Sequence, residues 1–188
     1  MKHRIAIFAS GGGSNAEAIM NYFQNHSTIS VALIVSNKFE AYIHERAAKH
    51  KIPSYTHTAK GIENGEIEAV LKAHEINFVV LAGYLKKISL SLVNNYPNRI
   101  VNIHPALLPK YGGKGMYGMN VHKAVVANGE RESGITIHYV NENYDEGNII
   151  EQHSCAISPD MTVENVQQAV LKLEHTFFAP CIERIINK

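Results

Sequence analysis

The fold is decided by the segment Arg4-Ile-Ala-Ile-Phe-Ala-Ser10 and the residues that follow it directly, Gly11-Gly-Gly-Ser-Asn15. The first segment is short, aliphatic and stopped by glycines, a pattern that predicts a buried strand. Ser14 and Asn15 are frequent N-cap residues, which predicts that a helix begins there. Apolar side chains then recur along one helical face, at Ala18, Ile19, Tyr22 and Phe23. A strand, a glycine turn and a helix in this order open an α/β unit.

The same alternation continues through the first half of the chain. Three more aliphatic segments predict buried strands, at residues 30–36, 78–82 and 100–104. Helices are predicted between them, at residues 42–50, 62–74 and 89–95. Because crossover connections join parallel strands, this order predicts an α/β fold with a mainly parallel sheet and helices on both faces.

The second half of the chain is less regular. Four glycines among residues 111–120 indicate a mobile surface loop, and a helix is predicted over residues 121–128. Residues 135–140 and 149–157 predict two strands that pair as an antiparallel edge of the sheet. Apolar residues spaced by three and four predict a long final helix, with Pro180 either kinking or dividing it.

Length, composition and charge limit the kinds of protein that this chain can be. The chain has 188 residues, which favours one domain over residues 1–188, and 45% of them are hydrophobic. A formal charge of +1 provides no field to hold a nucleic acid or an anionic membrane, so small-molecule partners are expected. Two cysteines without C-x-x-C spacing, and no signal-like or membrane-spanning apolar stretch, predict a cytoplasmic protein.

The glycine turn at residues 10–15 is the first candidate binding site. Glycines allow close approach to a ligand, and the N–H groups and dipole of a helix N-terminus favour an anion such as phosphate. A tight turn without a ligand is the alternative.

Two other motifs overlap the same residues. Gly11, Gly13 and Ala16 match a dinucleotide fingerprint, but residues 36–38 are Ser-Asn-Lys where that motif needs an acid, which disfavours a nicotinamide enzyme. Ser14 also matches the nucleophile of an α/β-hydrolase elbow whose last glycine is replaced, so a hydrolase is a rival hypothesis.

Asn102 and His104 form the second candidate site, at the end of a predicted central strand. Side chains two apart on a strand share a face, so an amide and a proton-exchanging imidazole would project together. A strand end with a hydrogen-bonded histidine is an equal alternative. The acidic loop at residues 141–147 is either a solvated turn or the source of a carboxylate that raises the pKa of His104. Eleven scattered histidines with no ligand spacing predict no metal site.

Taken together, these motifs resemble the phosphoribosylglycinamide formyltransferases along nearly the whole chain. The resemblance is carried by Ser10-Gly-Gly-Gly-Ser-Asn15, Val35-Ser-Asn-Lys38, Val80-Leu-Ala-Gly-Tyr84, Asn102-Ile-His-Pro-Ala-Leu-Leu-Pro109, Tyr144-Asp-Glu-Gly147 and Glu174-His175. It implies a Rossmann-like sheet and transfer of a formyl group from 10-formyltetrahydrofolate to the amine of 5-phosphoribosylglycinamide, by a monomer or homodimer without a metal.

The resemblance also implies a role for each part of the site. The substrate phosphate would be held by Gly12, Gly13, Ser14, Asn15 and Ala16, and the rest of that substrate by Glu174. The catalytic residues would be Asn102, His104 and Asp145. The folate would be bound by Lys60, Leu85, Lys86, Lys87, Ile88, Asn102, Asn141, Glu142, Asn143, Tyr144 and Asp145. Phosphate binding would thus belong to the N-terminal half, and folate binding and catalysis to residues 85–147.

In the mechanism that the resemblance implies, Asn102 and a protonated His104 stabilise the oxyanion, and Asp145 keeps His104 protonated. Two departures from the family pattern are visible. The loop at residues 111–120 is longer and richer in glycine, and Lys60 stands where many relatives have arginine.

Related enzymes share the same three catalytic residues. Methionyl-tRNA formyltransferases would need a further C-terminal domain and a basic surface, and formyltetrahydrofolate deformylases a further N-terminal domain, for which a chain of 188 residues is expected to lack room. A nucleotide-phosphate binding or regulatory module would use the glycine loop alone, and His104 and Asp145 would be dispensable.

Overall fold

A computed structural model describes residues 2–58, 60–61 and 64–188 of the chain. Its strands are β1 (His3–Phe8), β2 (Ile29–Ser36), β3 (Ser54–Thr56), β4 (Phe78–Leu81), β5 (Ile100–His104), β6 (Glu132–Tyr139) and β7 (Ile149–Ala156). The helices of the described residues are α1 (Ser14–Phe23), α2 (Ile43–Lys49), α3 (Glu66–Ala73), α4 (Leu90–Asn95), α5 (Met119–Ala127) and α6 (Val163–Ile186).

The seven strands form one sheet in the order β3-β2-β1-β4-β5-β6-β7. Strands β1 to β5 are parallel to one another, and β6 and β7 form the antiparallel edge, since β6 pairs antiparallel with both β5 and β7. The predicted α/β architecture, including this edge, is confirmed. Strand order reverses at β1, because β2 and β3 lie on one side of it and β4 on the other, and ligands of open α/β sheets bind at such a reversal.

Two apolar clusters hold the helices against opposite faces of the sheet. One contains Ile7, Ile19 and Val166 and covers the face packed by α1 and α6. The other contains Phe8 and Leu71 and covers the opposite face. Because β1 is buried on both faces from Ile5 to Phe8, that part of its sequence is continuously apolar rather than alternating.

Two local features differ from the predictions, and at Pro180 one of the two predicted alternatives is excluded. Helix α1 has Gly13 as its N-cap and begins at Ser14, so the prediction that Ser14 or Asn15 caps it was wrong. Strand β3 was not predicted, because three half-exposed residues carry almost no pattern. Helix α6 continues through Pro180 and is not divided there. Ile62, the first residue of the predicted third helix, lies outside the described residues.

Candidate active site

The ends of β1, β4 and β5 meet around a cavity of about 420 Å³. Ser14 and Asn15 follow β1, Gly83 to Leu85 follow β4, and Asn102 and His104 lie on β5; all line this cavity. The carboxyl ends of parallel strands share one edge of a sheet, so segments far apart in sequence converge here. Asp145 and Glu174 complete the wall, which brings the three predicted catalytic side chains into one space with Ser14, Asn15 and Glu174 of the predicted substrate site.

The backbone of the glycine loop is shaped by its contact with α2. Gly13 has φ of 70°, and a Cβ at this position would lie 2.4 Å from Cδ1 of Ile43. Glycine is therefore required by both the dihedral angle and the space. The first helical hydrogen bond runs from the N–H of Glu17 to the carbonyl of Gly13, so the N–H groups that precede it have no partner within the helix.

Gly13→Ala is expected to lower the free energy of unfolding by about 1 to 3 kcal/mol, because a left-handed conformation is strained for alanine. The overlap with Ile43 adds to this cost. Gly11→Ala is the matched control, since a Cβ there meets nothing within 4 Å. Urea denaturation of both variants checks this. Equal loss of stability in the two variants would contradict the structural role of Gly13.

Asn15 and Glu174 both line the cavity and are joined by a hydrogen bond. Asn15 Nδ2 donates to Glu174 Oε2 over 2.8 Å, while Asn15 Oδ1 is buried without a partner among the described residues. Burial raises the pKa of Glu174, and the hydrogen bond from Asn15 partly offsets this effect. A ligand group with hydroxyl or N–H donors would satisfy the free acceptor.

His104 is held between a carbonyl and a carboxylate. Its Nε2 lies 2.8 Å from the carbonyl oxygen of Tyr111, and its Nδ1 lies 3.5 Å from Oδ2 of Asp145. A carbonyl only accepts, so Nε2 carries a hydrogen and donates it. In the neutral ring, Nδ1 is consequently the atom that can take up a proton, next to a negative charge.

Burial lowers the pKa of His104 below its ordinary value, against the opposing effects of the Asp145 charge and the Tyr111 carbonyl. The side chain is only 4% exposed, so loss of hydration of the charged form dominates. The Asp145 charge acts in the expected direction but is outweighed by burial, and the expectation that Asp145 keeps His104 protonated stays a prediction. In its neutral form, this imidazole beside a carboxylate can accept a proton at Nδ1.

Asp145 lies in a turn with φ of 58°, which aspartate tolerates better than most residues. Burial acts to raise the pKa of Asp145, but the interaction with His138, whose Nε2 lies 3.7 Å from Oδ1, the charge of His104 and the N–H of Gly113 together lower it below its ordinary value. The distance from Gly113 N to Oδ2 is 2.9 Å. The carboxylate is thus charged near neutral pH.

The glycine-rich loop is part of the site. Tyr111 contacts His104 through its carbonyl, Gly113 contacts Asp145 through its N–H, and residues 113–118 line the cavity. The loop that was predicted only as a surface feature therefore touches both proton-carrying side chains.

His138 was missed by the sequence analysis. It lies on β6 directly opposite Asn102, and its Nδ1 donates to the carbonyl of Tyr139. Nε2 of the neutral ring must then accept, and Asn102 Nδ2 lies 3.1 Å away. This contact orients the Asn102 amide nitrogen, whose second hydrogen stays available to a ligand. The sequence offered one signal for His138, which is a polar residue within a strand of alternating apolar residues.

Most of the predicted folate-binding residues border a second, smaller cavity of about 70 Å³ that shares Asn102 and Asp145 with the first. Those lining it include Lys86, Lys87, Ile88, Asn141, Asn143 and Tyr144. Leu85 lines the main cavity instead. The predicted residues that line neither cavity are Gly12, Gly13, Ala16, Lys60 and Glu142. Lys60 and Glu142 are exposed, whereas the side chain of Ala16 is fully buried in the core.

Several alternatives from the sequence receive no support from the geometry. Within the described residues, no hydrogen bond joins Ser14 to a histidine, as a hydrolase would need. The same part of the chain contains no group of three potential metal-ligating side chains. No helix in it is both long enough and apolar enough to cross a bilayer.

A doubly wound sheet with an imidazole, an amide and a carboxylate at its ligand-binding edge defines an α/β enzyme that moves protons on a small molecule. The model of the formyl transferase family matches residues 3–182, and the chain belongs to this family.

Curated relatives carry a more specific name. The chain is 42% identical to the chloroplastic phosphoribosylglycinamide formyltransferase of Arabidopsis thaliana over 98% of its own length and 67% of the relative's. It is 36% identical to the phosphoribosylglycinamide formyltransferase of Bacillus subtilis, covering 98% of this chain and 95% of the relative. A third relative, from Vigna unguiculata, is 40% identical and is covered over 62% of its length.

Crystal structures of proteins with the same name superpose closely on this chain. The crystal structure of phosphoribosylglycinamide formyltransferase from Bacillus halodurans superposes with a TM-score of 0.88 at 37% identity, covering 98% of this chain and 96% of that one. The enzyme from Anaplasma phagocytophilum gives a TM-score of 0.90 at 28% identity, covering 100% and 89%.

Proposed function

We propose that the protein transfers the formyl group of 10-formyltetrahydrofolate to the amine of 5-phosphoribosylglycinamide. The products are 5-phosphoribosyl-N-formylglycinamide and tetrahydrofolate, in de novo purine synthesis. Family membership and the names of the relatives support this assignment. The observation that carries it is the single cavity that joins the start of α1, the Asn15–Glu174 pair and the three catalytic candidates.

In this proposal, the phosphate of the acceptor binds at the glycine loop, where Gly12 to Ala16 offer N–H groups at the positive end of α1. The remaining acceptor groups face Asn15 and Glu174. Because Asn15 Oδ1 is buried and unpartnered in the described structure, a donor from the substrate would satisfy it. The acceptor amine then lies towards His104, across the same cavity.

The folate would occupy the neighbouring space between Leu85 to Ile88 and Asn141 to Asp145. Residues 86–88 of the first segment and all of the second except Glu142 line the smaller cavity, which Asn102 also borders. The formyl group of the donor would therefore reach the catalytic side chains from the opposite side to the amine. Phosphate binding then belongs to the N-terminal half, and folate binding and catalysis to residues 85–147.

The chemistry follows from the side chains. The amine nitrogen bonds to the formyl carbon, and the carbonyl electron pair moves onto oxygen. The free hydrogen of Asn102 Nδ2 is available to that oxyanion, a type of stabilisation that works best when the donor is preorganised. The bond from carbon to the folate nitrogen then breaks, and its electron pair stays on the folate nitrogen.

One proton must move from the attacking nitrogen to the leaving nitrogen. Neutral His104 accepts it at Nδ1, and Asp145 stabilises the imidazolium from 3.5 Å. The negative oxyanion raises the proton affinity of His104 further while the intermediate lasts. The proton is then returned to the folate nitrogen, directly or through water, so the enzyme ends unchanged. As proposed, side chains carry every step and no metal ion is required.

A comparison of formyl acceptors tests the assignment. The protein is supplied with 10-formyltetrahydrofolate and, in separate reactions, with 5-phosphoribosylglycinamide, methionyl-tRNA or buffer alone. We expect tetrahydrofolate to form rapidly only with 5-phosphoribosylglycinamide, in equal amount with the formylated product. Formate release in buffer at the same rate would identify a formyltetrahydrofolate deformylase. Transfer to the tRNA would identify a methionyl-tRNA formyltransferase.

We also propose that the protein is cytoplasmic and that it is a monomer or a homodimer. Light scattering across a range of protein concentrations distinguishes the two assembly states. A larger assembly would contradict the proposal.

A further inference from the structure

Arg46 connects α2 to the glycine loop. Its Nε donates to the carbonyl oxygen of Gly12 over 2.7 Å, and its guanidinium forms an ion pair with Glu17 on α1. The guanidinium carbon also lies 5.0 Å from the centre of the Tyr42 ring. With 21% of its side chain exposed, Arg46 is held by three different partners in one position. Arg46 has no part in the chemistry described above.

The contact fixes the direction of a peptide group. In a planar trans peptide, the N–H points opposite to the carbonyl of the same unit. Because the Gly12 carbonyl points at Arg46, the N–H of Gly13 points away from α2. The preceding carbonyl, of Gly11, accepts from the backbone N–H of Ile43 over 3.2 Å. The N–H of Gly12 therefore also points away from α2, and two consecutive N–H groups face the same side, as in anion-binding nests.

The charge of Arg46 also affects how well the glycine loop can bind an anion. Glu17 lies in the first turn of α1, where an anionic ligand would feel its repulsion. The ion pair with Arg46 neutralises this carboxylate. Without Arg46, the flexible glycine peptide and an unpaired carboxylate would both oppose a phosphate.

We propose that Arg46 is a positioning residue for the substrate phosphate, which holds the Gly12–Gly13 peptide with its N–H towards the anion. The inference rests on the proposed function of the glycine loop. Arg46 acts through the backbone and does not contact the reacting atoms.

Three substitutions separate the hydrogen bond from the charge. Arg46→Gln keeps an N–H donor the same number of bonds from Cα as Nε, and loses the charge. Arg46→Met places a methyl group there, and Arg46→Lys keeps the charge without a donor at that position. Loss of a typical hydrogen bond changes an equilibrium by about 2- to 10-fold, so we expect Arg46→Met to raise KM for 5-phosphoribosylglycinamide by about tenfold. Arg46→Gln is expected to raise this KM by less than Arg46→Met does, because it keeps the donor to Gly12 although it leaves Glu17 unpaired.

The same variants should leave KM for the folate and kcat within about twofold, since the contact lies outside the folate cavity. Inorganic phosphate should compete with the acceptor less well in Arg46→Met than in the wild type. Lys49→Met is the matched control. Lys49 also lies on α2 and over the Tyr42 ring, but it donates a hydrogen bond to the Tyr42 hydroxyl rather than to the glycine loop. Thermal unfolding of each variant reports whether it is folded.

Three results would overturn the inference. These are an unchanged acceptor KM in Arg46→Met, an equal loss in Arg46→Gln and Arg46→Met, or retention of affinity by Arg46→Lys alone. If the wild-type protein does not use 5-phosphoribosylglycinamide at all, the proposed function fails instead. Phosphate binding measured by calorimetry still tests Arg46 in that case, with Arg46→Met expected to bind phosphate more weakly than Arg46→Gln.

Discussion

His104→Ala is expected to lower kcat by about 100- to 10,000-fold, the usual contribution of a positioned acid–base group. In the proposed mechanism, the neutral imidazole accepts the amine proton at Nδ1, and alanine offers no atom that can replace it. The free energy of unfolding should change little, because His104 contributes hydrogen bonds at the cavity wall rather than apolar packing. Single-turnover kinetics with both substrates saturating measure the effect on the chemical step.

His153→Ala is the control for this variant. That imidazole stacks on the Phe177 ring at a centroid distance of 3.6 Å and lines neither cavity of the site. It should retain wild-type kcat. A His104→Ala enzyme within threefold of the wild type would remove the imidazole from the mechanism.

Asp145→Asn is expected to lower kcat by about 100-fold or more, in the range of a lost acid–base partner. Asparagine has nearly the same shape, tolerates the left-handed backbone at φ of 58°, and keeps an oxygen for the N–H of Gly113. The substitution therefore removes the negative charge with little change of structure. Without that charge, the imidazolium formed during the reaction loses its stabilising partner.

The same variant has a spectroscopic signature. The Asp145 charge raises the pKa of His104 against the stronger effect of burial, so its removal should lower that pKa further. Titration of the imidazole by NMR should then show a midpoint at lower pH in Asp145→Asn than in the wild type. Asp160→Asn, at an exposed position, should change neither kcat nor the midpoint. A midpoint that moves to higher pH would show that Asp145 does not act on His104 through its charge.

Most of the architecture could be predicted because it depends on local patterns. Strand β1 is apolar from Ile5 to Phe8 since both its faces are buried there, and the glycines that follow it mark the turn to α1. Asn102 and His104 could be placed together because side chains two apart on a strand share a face. Strand β3 was missed because its three residues form an edge with little burial.

The details of the site depended on contacts between distant segments. The cap of α1 is Gly13 because Ile43 of α2 occupies the space of a side chain, which no local pattern shows. His138 was missed because its position opposite Asn102 follows from the pairing of β5 with β6. The role of Arg46 depends in the same way on the approach of α2 to the glycine loop.

By itself, the sequence determined the α/β class, the family resemblance and the two residues that share a face of β5. The tertiary structure alone decided the direction in which the pKa of His104 shifts, because that pKa is a balance between burial and a carboxylate from a separate loop. It also decided that the glycine-rich loop contacts both His104 and Asp145. Electrostatic energies depend on distance and exposure in three dimensions, and neither quantity is encoded in the spacing of residues along a chain.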